Sequence, residues 1–194
     1  LPPLPAERNT RQDLRRQLRR LRLELAAARP EAGEAAAGYL QDADLPPLRA
    51  FAAYVPVGGE IDSGPLALRL MALGAERLLP HVSVEGRMRF LSAPAGGRLE
   101  PDASGLQAPP QYAEEMRPDL IIAPLLAFDR FGGRLGQGGG HYDRALAELR
   151  RTGPVFVLGL AFAGQEVERL DLEPHDQPLD AVLTEAGYRR LPQA

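Results

Sequence analysis

No cysteine and no lysine occur among the 194 residues. Without cysteine there is no disulfide framework, no thiolate metal site and no thiol nucleophile. Without lysine there is no Schiff-base chemistry and no phosphate-loop lysine, so anion recognition falls to arginine and to backbone N–H groups. Apolar runs are short, none near the roughly 20 residues that span a bilayer. Residues 1–10 lack the charged-then-apolar order of a secretory signal, so a cytosolic protein with no membrane contact is expected.

What is present fits one ordinary soluble domain over 1–194, with 44% hydrophobic and 25% charged residues. Glycine (20) and proline (19) are abundant, yet below the level of about 25–30% that marks low complexity, so they belong in turns and loops. The formal net charge is −3, but residues 8–29 carry eight arginines against Asp13 and Glu24, a local +6 that leaves −9 elsewhere.

Leu14, Leu18, Leu21 and Leu25 recur at spacings of 4, 3 and 4, which predicts an amphipathic basic helix over about 10–28. Thr10 and Asp13 have the spacing of a capping box. The ordinary reading of Arg15, Arg16, Arg19, Arg20 and Arg22, opposite the leucine stripe, is a solvated face. A second, alanine-rich helix is expected over 30–39. Beyond it the chain alternates short apolar runs with turns and helical stretches. Strands are expected at 49–55, 77–82, 87–91, 119–126, 155–161 and 181–184. Helices are expected at 63–73, with Ser63 as N-cap and Gly74 as stop, and at 142–151. The segment 92–118 has no period and reads as a long surface excursion. Alternation of this kind argues for an α/β domain with a mainly parallel sheet, whose ligands sit beyond the carboxyl ends of the strands.

Between the buried run at 119–126 and the helix at 142–151, residues 131–143 include six glycines. Bare backbone N–H groups can form a concave nest for an anion, and the helix that follows points its positive end at the same place. Arg134 and Arg144 at the edges favour phosphate. Neither the P-loop nor the dinucleotide-binding spacing of glycines is met.

The order of residues in this loop, Arg-Leu-Gly-X-Gly-Gly-Gly-X-Tyr-Asp-Arg over 134–144, resembles the signature of the 5-formyltetrahydrofolate cyclo-ligases, also called 5,10-methenyltetrahydrofolate synthetases. Arg11-Gln12-Asp13-Leu14-Arg15 is similar to that family's amino-terminal basic helix, and Glu60-Ile61-Asp62-Ser63 to its acidic loop. Gly159-Leu160-Ala161-Phe162 with Gln165, Glu173-Pro174-His175-Asp176, and the stretch 179–185 resemble its carboxyl-terminal pattern. The likeness runs in order through nearly the whole chain; 92–118 contributes little.

The resemblance implies a three-layer α/β/α open sandwich of the CoA-transferase-like kind. It implies a monomeric ligase of one-carbon metabolism that uses ATP and Mg²⁺ to close 5-formyltetrahydrofolate to 5,10-methenyltetrahydrofolate. By the same resemblance ATP is held by Arg11, Arg15, Arg134, Leu135, Gly136, Gln137, Gly138, Gly139, Gly140, His141 and Tyr142, with Arg134 and Tyr142 catalytic. The folate is held by Arg15, Val55, Glu60 and the loop residues Gln137 to His141, with Tyr54 lining the same pocket. Mg²⁺ falls to Asp143 and Asp176, with Asp180 as the neighbour that could be mistaken for the second acid. Two positions depart from the family: Arg11 stands where lysine is usual, and His141 where tyrosine is usual. The alternatives are an ATP-dependent ligase of the same fold acting on another substrate, as in thiamine metabolism, and a nucleic-acid-binding module built on the arginine-rich helix. The acidic remainder of the chain and the lack of interleaved aromatics argue against the second.

Overall fold

The computed structural model describes residues 11–192; Thr10, its capping box and the rest of residues 1–10 lie outside the described part. Seven strands form the central sheet. In chain order they are β1 (Ala50–Ala52), β2 (Glu76–Val82), β3 (Met88–Ser92), β6 (Leu120–Ala123), β9 (Phe156–Leu160), β10 (Ala181–Thr184) and β11 (Gly187–Arg190). Two small hairpins account for the other four: β4 (Glu100–Pro101) with β5 (Gln107–Ala108), and β7 (Ala127–Phe128) with β8 (Arg134–Leu135). The sheet order is β11-β10-β9-β6-β1-β2-β3. β10, β9, β6, β1 and β2 are parallel, whereas β3 and β11 are antiparallel edges.

The inner strands are apolar on both faces because both faces are covered. Leu120, Ile122, Leu158 and Leu183 point into one layer with Ala36, Leu66 and Leu70 from helices α2 (Ala32–Tyr39) and α3 (Gly64–Ala72). Ile121, Ala123, Val157 and Val182 point into the other, against Ala145 and Leu146 of α4 (His141–Thr152). This is the expected three-layer arrangement. Ile121 is fully buried, so Ile121→Ala should cost about 2–5 kcal/mol.

The first helix, α1 (Arg11–Ala28), reaches a face of the sheet only at its end, where Leu25 and Ala26 pack against the α2–α3 layer. Its Leu14, Leu18 and Leu21 pack on Leu126, Ala127, Leu135 and Leu170, so it lies across the chain leaving the carboxyl end of β6. Asp129 fixes the β7–β8 hairpin beneath it by accepting the Phe131, Gly133 and Leu170 amides. No helix among the described residues is long and apolar enough to cross a membrane.

Three local expectations need correction. Ser63 occupies the N-cap position of α3, but its hydroxyl donates to the Tyr54 carbonyl, and Asp62 accepts the Gly64 amide instead. Residues 92–118 are not a free excursion. β4 and β5 pair, Asp102 accepts the Val82 amide at 2.7 Å, and the buried His81 meets the Pro109 carbonyl. The solvated face of α1 is solvated only in part, because Arg15, Arg19 and Arg22 turn toward loops that only the tertiary fold brings near them.

Candidate active site

A cavity of about 480 Å³ opens beyond the carboxyl ends of β1 and β6. Tyr54, Val55 and Pro124 form its floor, continuing directly from those strands. The glycine loop and the first turn of α4 make one wall, Arg11 and Arg15 of α1 another, and Pro80, Val82 and Met88 of the β2–β3 hairpin a third. Fifteen of the sixteen residues assigned to the site by resemblance, Tyr54 included, line this cavity; Leu135 does not, because its side chain is buried under α1.

The glycine loop is shaped by crowding. Gly138 (φ 106°) and Gly140 (φ 64°) adopt backbone conformations that favour glycine. A Cβ on Gly138 would stand 3.3 Å from the Arg15 guanidinium, and one on Gly140 only 2.8 Å from Arg144. The loop therefore presents bare backbone, and Gly140 caps α4 so that the helix directs its unbonded N–H groups toward the cavity.

Arg134 is buried in the short strand β8 and holds Asp143 at 2.5 Å. Asp143 also accepts the Gln177 amide at 3.0 Å. Arg11 bridges Glu173 at 2.8 Å and Asp176 at 2.6 Å. In both arginines the Nε is buried without a partner among the described residues. Such orphaned cationic donors suit an anion that supplies several oxygens. Burial opposes the charge of Asp176, but the Glu173 amide and Arg11 outweigh it and hold this carboxyl below its ordinary value. Glu173, His175 and Asp176 bring ligand atoms within 4.8 Å of one another. Asp143 stands outside that cluster, and Asp180 lies in a different groove altogether.

At the other end of the cavity Glu60 accepts Arg22 Nη1 at 3.2 Å and the Val57 amide at 3.1 Å, and bonds the Gln137 side chain. Burial pushes its carboxyl above the ordinary value, against the pull of the Val57 amide and Arg22. Tyr142 lies between the two ends. Burial, followed by the charge of Glu60, pushes its phenol up, so it stays a neutral donor, with Arg134 5.9 Å from its ring centre. His141 Nδ1 meets Arg144 Nη2 at 3.0 Å. Because a guanidinium can only donate, Nδ1 accepts and the ring proton sits on Nε2.

Sequence reasoning missed Arg19, Arg22 and the wall formed by Asp102, Ser104, Leu106 and Gln107. Arg19 binds Gln137 through both its side-chain oxygen (2.9 Å) and its carbonyl (3.2 Å). The available signal was spacing, since Arg11, Arg15, Arg19 and Arg22 recur at 4, 4 and 3, a second helical stripe beside the leucines.

Comparison with known proteins gives the family and the fold. A model of the 5-formyltetrahydrofolate cyclo-ligase family matches residues 6–185. The 5-formyltetrahydrofolate cyclo-ligase of Escherichia coli is 36% identical over 141 residues, covering 69% of this chain and 76% of that protein. Its Mycolicibacterium smegmatis counterpart is 36% identical over 166 residues, covering 81% and 84%. The solution structure of 5,10-methenyltetrahydrofolate synthetase from Aquifex aeolicus is 30% identical, superposes with a TM-score of 0.74, and covers 95% of this chain and 94% of its own. The chain belongs to the 5-formyltetrahydrofolate cyclo-ligase family of enzymes.

Proposed function

We propose that the protein, as a single catalytic domain, closes 5-formyltetrahydrofolate to 5,10-methenyltetrahydrofolate while converting ATP to ADP and phosphate. The observation that carries this reading is one cavity that holds an anion cradle at one end and a buried acid at the other, with Gln137 reaching both. A formamide oxygen is a poor leaving group. Its attack on the γ-phosphorus expels ADP and makes a C–O–P linkage. Nitrogen 10 of the folate then attacks the same carbon, the C–O bond breaks to release phosphate, and nitrogen 10 loses its proton. No protein nucleophile is required, which suits a chain without cysteine or lysine. Catalysis is then a matter of positioning and charge neutralisation.

The N–H groups at 138–140 and the guanidinium groups of Arg11, Arg15 and Arg134 receive phosphate oxygens, with the Tyr142 phenol as a further donor. Glu60 accepts two hydrogen bonds from the amino-pyrimidinone edge of the pterin, beside Val55 and His141. Asp143 and Asp176 would hold Mg²⁺, which when bound neutralises phosphate charge. Their oxygens suit this hard cation, which needs few carboxylates, whereas the neighbouring imidazole of His175 does not. The reading also takes the enzyme to be a cytoplasmic monomer that leaves nucleic acid alone. For the last of these, the support is that four of the arginines of α1 are engaged with loops of the site.

The test is absorbance of 5,10-methenyltetrahydrofolate formed from 5-formyltetrahydrofolate with and without ATP and Mg²⁺. Product that needs both is the expected result. ATP binding without product would leave the phosphate cradle standing and remove the folate.

A further inference from the structure

We propose that Arg22 is a positioning residue for the reaction, fixing the Glu60 carboxylate and the loop that carries it at the cavity wall. The proposal rests on the reading of Glu60 as the acid that meets the pterin.

Arg22 follows Leu21 in α1 and is only 2% exposed. A guanidinium has five N–H donors in a rigid fork, and here each has an acceptor. Nε donates to the Gly58 carbonyl at 3.2 Å, and Nη2 to the Gly58 and Val57 carbonyls at 2.9 and 3.4 Å. Nη1 donates to Glu60 Oε1 and to the Leu125 carbonyl, both at 3.2 Å. Only one of these acceptors is charged, so Arg22 acts as a template for the loop as well as a counter-ion. The loop is built to close on it. Gly58 and Gly59 have φ of 56° and 76°, a Cβ on Gly58 would stand 3.3 Å from Arg22 Nη2, and one on Gly59 3.0 Å from Leu23. The Leu125 carbonyl is shared with Gln165, which ties the same point to the end of β6.

A buried ion pair costs desolvation that two packed apolar side chains would not. A purely structural anchor needs only the carbonyl contacts. Of the four groups that accept from Arg22, Val57 and Glu60 line the cavity, and Glu60 is the one that brings a charged side chain to it. The groups facing Glu60 are Arg22 from α1, the neutral Gln137 from the glycine loop with Arg19 behind it, and the phenol of Tyr142 from α4. Tyr54, on the segment leading to Glu60, donates its hydroxyl to the Ile61 carbonyl. Arg22 is therefore the cation in direct contact with this acid.

The experiment is a calorimetric double-mutant cycle on the full chain, titrating 5-formyltetrahydrofolate and ATP separately into the parent, Arg22→Met, Glu60→Gln and the double variant. Arg22→Met should weaken folate binding about 100-fold and leave ATP within about threefold, since the loss falls on one partner of a buried pair. In the double variant the loss should stay within about threefold of Glu60→Gln alone, because the two side chains act as one. Losses that multiply, or an equal loss of ATP affinity, would overturn the proposal. Parent-like folate affinity in Glu60→Gln would remove the reading of Glu60 itself, a different failure from multiplying losses. Should Arg22→Met not fold, Arg22→Lys decides. It keeps the charge but not the fork, so folate binding should weaken about tenfold while its acid limb stays at the parent's pH. An unchanged affinity in this variant would refute the role.

Discussion

The two ends of the parallel sheet use the same residue types to opposite purpose. At the amino ends, Asp119 accepts the Arg49 and Ala50 amides at 2.8 and 3.2 Å, and Asp180 accepts the Val157 amide at 2.7 Å. Each acid stands just before one strand and grips the backbone at a neighbouring strand, so it fixes the spacing between them. At the carboxyl ends, Glu60, Asp143 and Asp176 are each held by an arginine side chain. Both sets also hold the other kind of partner, since Glu60, Asp143 and Asp176 accept the Val57, Gln177 and Glu173 amides and Asp180 is paired with Arg150 at 3.5 Å. The difference is that the amino-end acids grip Ala50 and Val157 within strands, the carboxyl-end acids only loop amides. Size does not separate the ends, for the groove at the amino ends, about 860 Å³ and rich in proline, is the larger. What separates them is donor capacity left over, as in the unpartnered Nε atoms of Arg11 and Arg134.

The comparison breaks most easily at Arg134. Arg134→Ala should lose about 100-fold in ATP affinity and far less in folate affinity, being one half of a buried charge pair; equal losses in calorimetry would mean that it merely supports the loop. Asp180→Ala should do the reverse, costing about 1–3 kcal/mol in urea unfolding for a lost backbone acceptor while both ligands bind as before. A fall in ATP affinity there would make Asp180 the second acid of the metal site and erase the contrast.

Acid sharpens the contrast within the site. The Glu60 carboxyl is raised by burial, so folate binding that needs its charge is full above that raised value. It should fall about tenfold per unit as pH drops below it. Asp176, held below its ordinary value, contributes stability that is fully present above that ordinary value and lost only as pH falls through the depressed one. Folate affinity should therefore fail at higher pH than the Arg11–Asp176 tie, and a reversed order in titration and unfolding series would contradict the assignment. The smallest effect belongs to Arg20, exposed on α1. Arg20→Ala should change stability by less than about 0.5 kcal/mol and neither affinity, while Arg19→Ala, losing Gln137, should weaken both ligands a few-fold.

Elements whose burial follows from the local pattern were legible before the structure. The strand over 181–184 matches β10 residue for residue, and the leucine stripe of α1 packs as its spacing implies. β11 was not legible. An antiparallel edge, it carries Tyr188, Arg189 and Arg190 with only half-buried or exposed side chains, so no apolar alternation marks it. The wall at 102–107 was hidden for a related reason, since it is fixed by the acceptors of Asp102 rather than by hydrophobic burial. The glycine loop was readable because its composition is its mechanism. Arg22 was not, because an arginine between two leucines looks like surface until Gly58 and Gly59 bring a backbone down onto it.

The arginine stripe of α1 turns this helix into a ruler. Arg11 touches the acids at one end of the cavity and Arg22 the acid at the other, eleven residues apart, which a rise of about 1.5 Å per residue converts into roughly 16 Å. The separation of the two ends is thus set by helical register rather than by any loop. One residue inserted between Arg15 and Arg19 would turn everything beyond it by about 100°. Arg11 and Arg15 would keep their places while Arg22 swung away from Glu60, so the distance between two chemical groups is written into the length of a single helix.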